Sequence, residues 1–261
     1  MNNNKKYFFI GIGGIGMSSI AKYFLNLGNE IMGYDRVKSE IVKKLSKDGV
    51  KVLDTIDTNL LSEDFKSKDV IVIYTSAISK ENAYLKYFVN NNNKVYKRSE
   101  ILGNITEKTF CICIAGTHGK TTTTAILTHL FYKCEENFQS FVGGILNGYE
   151  TNFISTGSKY SIVEADEYDR SFLQLIPNIG VITSIEKDHL DIYGDFNSLK
   201  ESFNLFANKI SDKIFYSDEI EGFEGLSYSI NSETDYYARN ILLKENGYRF
   251  DLITPHNEFI N

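Results

Sequence analysis

The stretch Gly116-Thr117-His118-Gly119-Lys120-Thr121 runs on through Thr122, Thr123 and Thr124. It lies between an apolar run, Thr109–Ala115, and a long helix-compatible run, Thr121–Cys134. A Gly-Lys-Thr between a buried strand and a helix sets backbone amides at a helix N-terminus. It also brings a lysine within reach of β- and γ-phosphates and offers a hydroxyl to Mg²⁺. The loop is not a standard Walker A, because Ile114 stands where that motif has its first glycine. The reading is nucleoside triphosphate binding through Gly116, Thr117, His118, Gly119, Lys120, Thr121 and Thr122.

Upstream of this loop the chain alternates strand and helix. Tyr7–Ile10, Glu30–Tyr34, Val50–Leu53, Val70–Tyr74 and Lys94–Tyr96 read as strands. Met17–Leu27, Ser39–Asp48 and a helix capped by Ser79 and running to about Asn90 fall between them. That periodicity predicts a doubly wound parallel sheet with right-handed crossovers. Gly11-Ile12-Gly13-Gly14-Ile15-Gly16 follows the first strand and opens the first helix, the context that G-x-G-x-x-G requires. Gly11 permits the tight turn, Gly13 admits backbone amides to a pyrophosphate, and Gly16 allows close helix packing. Asp35 ends the second strand, where an acid meets a ribose hydroxyl in such folds. The alternative is a merely tight βα turn. Two glycine loops imply two nucleotide-bearing ligands.

Downstream, Ser161–Ala165 and Gly180–Thr183 read as buried strands, Phe196–Ile210 as an amphipathic helix and Lys213–Tyr216 as a strand. Beyond Gly222 the short segments Leu226–Ile230, Asp235–Leu243 and Tyr248–Ile253 look antiparallel, and Pro255–Asn261 reads as a turn. The expected class is α/β: a Rossmann-like domain over residues 1–104 and a P-loop-type α/β domain over 105–261. Glu164-Ala165-Asp166-Glu167 ends a buried strand, where a carboxylate meets a phosphate-bound Mg²⁺. Asp188-His189-Leu190-Asp191 follows the next strand and is read as a second metal or substrate position.

The 261 residues carry a formal charge of −6, which leaves no electrostatic footprint for nucleic acid. Cys111, Cys113 and Cys134 are too few for a disulfide framework and suit a reducing compartment. Cys111 and Cys113 alternate along an apolar run and read as strand residues facing one side. Lys5 and Lys6 before an apolar stretch mimic a signal peptide, but Gly11, Gly13, Gly14 and Gly16 break that stretch. No run approaches the ~20 apolar residues of a membrane span. A soluble, cytoplasmic protein is expected.

The Gly loop with Met17-Ser18-Ser19-Ile20-Ala21, then GTHGKTTTT, EADEYDRSFL and DHLDIYGD, resembles the Mur ligase family. The resemblance runs from about Lys5 to about Ile214 and looks most like the alanine-adding branch. It implies an ATP-dependent ligase of peptidoglycan precursor synthesis. That activity joins L-alanine to the carboxylate of UDP-N-acetylmuramate through an acyl phosphate. By resemblance, Lys120 holds the transferred phosphoryl group, Thr121 and Glu164 serve one Mg²⁺, and His189 serves a second. Gly11, Gly13, Gly14, Ile15 and Gly16 fall at the UDP-sugar diphosphate, Asp35 near the uridine, Ser76 and Ala77 along that pocket, and His118 at a substrate contact. Arg98-Ser99-Glu100 resembles a recurrent segment with an equally good structural reading. Lys120 plus two Mg²⁺ is a coherent minimum for screening a carboxylate from a triphosphate. The resemblance also implies a third domain and a downstream His-Asn segment that this chain, ending at Asn261, does not contain. The fragment is therefore expected to bind substrates rather than complete the reaction. The tripeptide-adding sister ligase is the nearest alternative. A NAD-dependent oxidoreductase would leave GTHGKT unexplained.

Overall fold

Lys6–Ile10 (β1) is buried along almost its whole length, as a strand flanked on both sides must be. It pairs in parallel with Glu30–Tyr34 (β2) and Ile71–Tyr74 (β4). Lys51–Leu53 (β3) and Lys94–Lys97 (β5) complete a parallel sheet of order β3-β2-β1-β4-β5 among the described residues. The computed structural model describes residues 5–188, 190–245 and 247–260. Ile15–Asn26 (α1) and Glu40–Lys47 (α2) connect the first strands. Ser39 caps α2 by accepting from Val42 N–H at 3.3 Å, as a helix N-terminus with orphan amides requires.

Ala83–Asn90 (α3) begins later than the sequence reading has it. Asn82, rather than Ser79, accepts from the amides of Tyr84 and Leu85 and caps the helix. Ser79 instead closes a local turn through Glu81 N–H. A helix not foreseen, Arg98–Thr106 (α4), leads out of the first sheet. Gly103 on α4 is in near contact with the second half of the chain: a Cβ there would stand 2.3 Å from the Gln174 carbonyl oxygen. Gly103→Ala is expected to destabilise the fold by about 2 kcal/mol, because backbone rather than a movable side chain must yield. An unchanged urea midpoint would contradict this.

Phe110–Ala115 (β6) is the pivot of the second sheet. Lys120–Lys133 (α5) follows it, and then Phe138–Leu146 (β7) and Thr151–Ser155 (β8) form an antiparallel pair the sequence reading passed over. Tyr160–Glu164 (β9) and Ile179–Ile182 (β10) flank β6 in parallel on its two sides. Leu190–Tyr193 (α6) and Phe196–Ala207 (α7) precede Lys213–Ser217 (β11). Leu226–Ser229 (β12), Tyr236–Lys244 (β13), Gly247–Ile253 (β14) and Glu258–Phe259 (β15) extend the same sheet. Its order is β15-β14-β13-β12-β11-β10-β6-β9-β7-β8.

The antiparallel expectation beyond Gly222 holds for β13 with β14. It fails for β12, which runs parallel to both β11 and β13. Pro255–Asn261 is not simply a turn, since Glu258 and Phe259 pair with Ile253 and Leu252. Cys111 and Cys113 are fully buried with sulfurs 3.5 Å apart, on one side of β6 as read, and burial pushes the Cys113 thiol up.

α1 packs on the first sheet, where Phe24 stacks on Tyr7 of β1, and on the second as well. Tyr23 meets Phe141 of β7 and Phe153 of β8, with ring centroids 5.7 Å and 6.1 Å apart. One apolar cluster therefore runs from Phe9 and Ile20 through Phe141 and Phe153 to Phe172 and Phe203. In both sheets a glycine loop follows a strand at which the order reverses, β1 or β6, and ligand crevices open at such switch points. Among the described residues no helix is long and apolar enough to cross a membrane.

Candidate active site

Gly116 and Gly119 lie at φ +138° and +81°, so the turn between β6 and α5 is closed to side chains at those positions. A Cβ at Gly116 would also meet Thr183 Oγ1 at 2.0 Å. The loop is stapled to the end of β10. Thr117 N–H donates to the Ser184 carbonyl at 3.0 Å, His118 N–H to Ser184 Oγ at 2.8 Å, and Thr183 Oγ1 to the His118 carbonyl. Lys120 begins α5 and folds back over the loop, with Nζ 2.5 Å from the Gly116 carbonyl. That places an ammonium beside helix N-terminal amides, a cradle with the right charge for phosphates.

Lys120 also pairs with Glu167, whose carboxylate oxygens lie 3.0 Å and 2.9 Å from Nζ. Glu167 is fully buried. Burial pushes its carboxyl above the ordinary range, and Lys120 opposes the shift. Tyr193, at the end of α6, donates its hydroxyl to the Glu167 carbonyl at 2.6 Å, and burial pushes its phenol up to about 12. The sequence reading favoured Glu164 and left Glu167 without a role. The signal was the spacing: Glu164 ends the strand, and Glu167 is three residues on, where the chain turns back under the loop.

Glu164 is held from two sides. Thr121 Oγ1 donates to its Oε1 at 2.7 Å, and Gly143 N–H donates to its Oε2 at 2.7 Å. The β7–β8 register is interrupted between Phe141 and Leu146, and that irregularity aims the Gly143 amide at the carboxylate. Thr121 and Glu164 thus present two hard oxygens beside the loop. This fits Mg²⁺, which binds through one or two protein oxygens and keeps waters and phosphate oxygens for the rest. Among the described residues no three His, Cys, Asp or Glu come together to form a fuller metal cage. His189 lies outside the described residues.

In the first loop, Gly11 has φ +87° and its N–H donates to the Tyr34 carbonyl at 2.8 Å, so it makes the tight turn as read. Gly13 differs from expectation. Its N–H is taken by Asp35 Oδ2 at 2.8 Å, and Asp35 Oδ1 accepts from Val37 N–H at 2.9 Å. The side chain read for a ribose hydroxyl thus clamps its own loop. Gly16 makes room for a side chain rather than a strand: a Cβ there would stand 2.6 Å from Arg98 Nη1.

Gly14, Ile15 and Gly16 open onto a cavity of about 360 Å³. Ser76 and Ala77 also line it, as do Gly143, Glu164 and Asp166. Arg98 is its one cationic side chain among the described residues, 3.3 Å from Asp166. The structure therefore brings four residues of the first-loop set, Gly14, Ile15, Gly16 and Ser76, onto one cavity with Glu164. Gly11, Gly13 and Asp35 stand behind it. His118 does not line it, and its imidazole faces Glu186 at 3.6 Å. Thr121 and Thr122 line a neighbouring cavity of about 440 Å³ along α5, bounded by Gly144 and Tyr149.

The Mur ligase family, catalytic domain, matches residues 6–109, and the Mur ligase middle domain matches residues 114–261. The UDP-N-acetylmuramate–L-alanine ligase of Christiangramia forsetii is 41% identical over 100% of this chain, which covers 58% of that protein. The chain thus spans a little over half the length of such curated relatives. The crystal structure of a UDP-N-acetylmuramate–alanine ligase from Thermotoga maritima is similar at a TM-score of 0.82 and 22% identity, covering 97% of this chain and 59% of that one. A UDP-N-acetylmuramate:L-alanyl-gamma-D-glutamyl-meso-diaminopimelate ligase from Neisseria meningitides gives a TM-score of 0.83 at 20% identity, covering 97% of this chain and 85% of that one.

Proposed function

Because the chain belongs to the Mur ligase family, we propose that it carries the UDP-sugar and ATP sites of an ATP-dependent ligase that joins L-alanine to UDP-N-acetylmuramate. The observation that carries this reading is the shared cavity, where the amide end of α1 and the Glu164 carboxylate face one space. A sugar nucleotide whose diphosphate sits at Gly14–Gly16 would direct its far, acidic end toward Glu164 and Thr121. Residues 1–104 then serve as the UDP-sugar domain and residues 105–261 as the ATP domain. The setting is cytoplasmic peptidoglycan precursor synthesis.

In this reading a sugar carboxylate oxygen attacks the γ-phosphorus of ATP, the bond to ADP breaks, and an acyl phosphate forms. The amine of L-alanine then attacks the acyl carbon, loses a proton, and phosphate departs. Lys120 neutralises the transferring phosphoryl group, and the amides of Gly119 and Lys120 hold the adjacent phosphate. Mg²⁺ held by Thr121 and Glu164 would supply the charge screening that lets an anion approach a triphosphate. His189 is assigned to a second Mg²⁺ by the family resemblance, and His118 to a substrate contact.

The tripeptide-adding ligase shares the fold at a TM-score of 0.83 against 0.82, so the choice of L-alanine rests on the 41%-identical relative. Calorimetric titration is expected to show one site for UDP-N-acetylmuramate and a separate one for ATP. In a full-length version, phosphate release with both present should respond to L-alanine and not to tripeptide. Binding of NADH without binding of the UDP-sugar would overturn the reading in favour of an oxidoreductase.

A further inference from the structure

The two glycine loops sit on different sheets, and the β7–β8 pair touches both. Its first strand gives the Gly143 amide to Glu164. Its second strand carries Asn152, which is fully buried and reaches across to α1. Asn152 Nδ2 donates to the Ile15 carbonyl at 2.6 Å and to Ser18 Oγ at 2.9 Å. Its Oδ1 accepts from Lys22 Nζ at 2.9 Å, and the same ammonium donates to Thr151 Oγ1 at 3.0 Å. Ser18 Oγ in turn donates to the Ile15 carbonyl at 2.9 Å.

The orientation of this amide is fixed by chemistry. An ammonium only donates and a carbonyl only accepts, so Oδ1 must face Lys22 and Nδ2 must face Ile15. These contacts grip the first turn of α1. They fall on the turn whose Ile15, Gly16 and Met17 amides precede the first helical hydrogen bond, Ser18 N–H to the Gly14 carbonyl at 2.9 Å. If this surface only had to hold two halves together, an apolar side chain would fill the position without needing three aligned partners.

We propose that Asn152 is a positioning residue that sets the N-terminal amides of α1 at a fixed place relative to the Glu164–Thr121 pair. It touches neither substrate nor reacting atoms. It acts by tying the helix that receives the diphosphate to the same strand pair that orients Glu164. The functional part of this inference rests on reading the α1 N-terminus as the UDP-sugar site.

Asn152→Asp isolates the effect. It keeps the volume and the acceptor for Lys22, but turns the donor that faces the Ile15 carbonyl into an acceptor. Without any ligand, amide hydrogen exchange at residues 14–18 is expected to quicken about tenfold, with the rest of the first sheet unchanged. The Kd for UDP-N-acetylmuramate is expected to rise about tenfold, and that for ATP by less than about twofold. Ser18→Ala, a milder change in the same contact, should shift the same readouts in the same order by less, and it serves if Asn152→Asp does not fold. Equal weakening of both ligands, or faster exchange throughout the first sheet, would reduce Asn152 to general glue and overturn the proposal. So would unchanged exchange at residues 14–18. A wild-type chain that binds no UDP-sugar, with exchange still quickened at residues 14–18 alone in the variant, would uphold the positioning role and overturn the substrate reading instead.

Discussion

Lys120→Ala is expected to weaken ATP binding by roughly 100-fold or more while leaving UDP-N-acetylmuramate binding unchanged. The ammonium is the cation the loop offers to phosphates, and the loop holds no other lysine or arginine. The same change has a stability cost. Glu167 is fully buried against Lys120, whose own side chain is only 14% exposed. Removing one partner of such a pair costs about 3 kcal/mol.

The cost should depend on pH in a fixed direction. Burial raises the folded pKa of Glu167 above its ordinary 4.5, and Lys120 holds the rise in check. A carboxyl with a raised folded pKa favours the folded state fully below the unfolded value, and that contribution is lost as pH rises through the folded value. Without Lys120 the folded value climbs further. Melting temperatures of Lys120→Ala should therefore fall more steeply than wild type as pH rises above the ordinary carboxyl value. Adding Glu167→Gln should flatten that slope. A variant with the wild-type slope would contradict the buried pair, and equal loss of both ligands would contradict the two-site reading.

Gly143→Ala should be nearly as damaging to the metal-linked part of ATP binding, although it adds one methyl at an exposed position. The new Cβ would stand 2.5 Å from Glu164 Oε2 and 2.6 Å from its carboxyl carbon. No side chain tolerates that distance, so the carboxylate must leave the position where Thr121 and the Gly143 amide hold it. Displacing such an orienting contact typically costs 10–100-fold in metal affinity, and roughly that loss is expected in the Mg²⁺-dependent component of ATP binding. Binding measured in excess chelator should be unchanged, and so should the melting temperature. Glu164→Gln should give the same loss, with the double variant no worse than either. A full Mg²⁺ response in Gly143→Ala would remove Glu164 from the metal site.

Where a loop's chemistry is local, it could be read directly from residue order. Gly-Lys-Thr after a buried strand located the α5 cradle, and Gly11 at the end of β1 located the other turn. What escaped depended on contacts distant in sequence. β7 carries two adjacent glycines, Gly143 and Gly144, which blur its alternation, yet Gly143 makes room for Glu164 and Gly144 for Thr121. α4 begins at Arg98, inside a segment whose residues looked like a motif rather than a helix. Asp35 stood at the position expected of a ribose ligand, but only the folded turn shows its oxygens committed to two amides. β12 is too short for its pattern to reveal a parallel partner. Asn152 was silent for the same reason: a polar side chain declares its partner only once the chain has closed around it.

The Asp35 clamp has a thermodynamic consequence for recognition. Fixing a flexible loop costs conformational entropy, and a site that orders only on encounter subtracts that cost from its affinity. Here the Gly13 and Val37 amides are already committed to Asp35, so the curve of the loop is settled when the chain folds. Under the proposed reading, an incoming diphosphate would meet a preorganised surface, and its interaction energy would go into grip rather than into shaping the receptor.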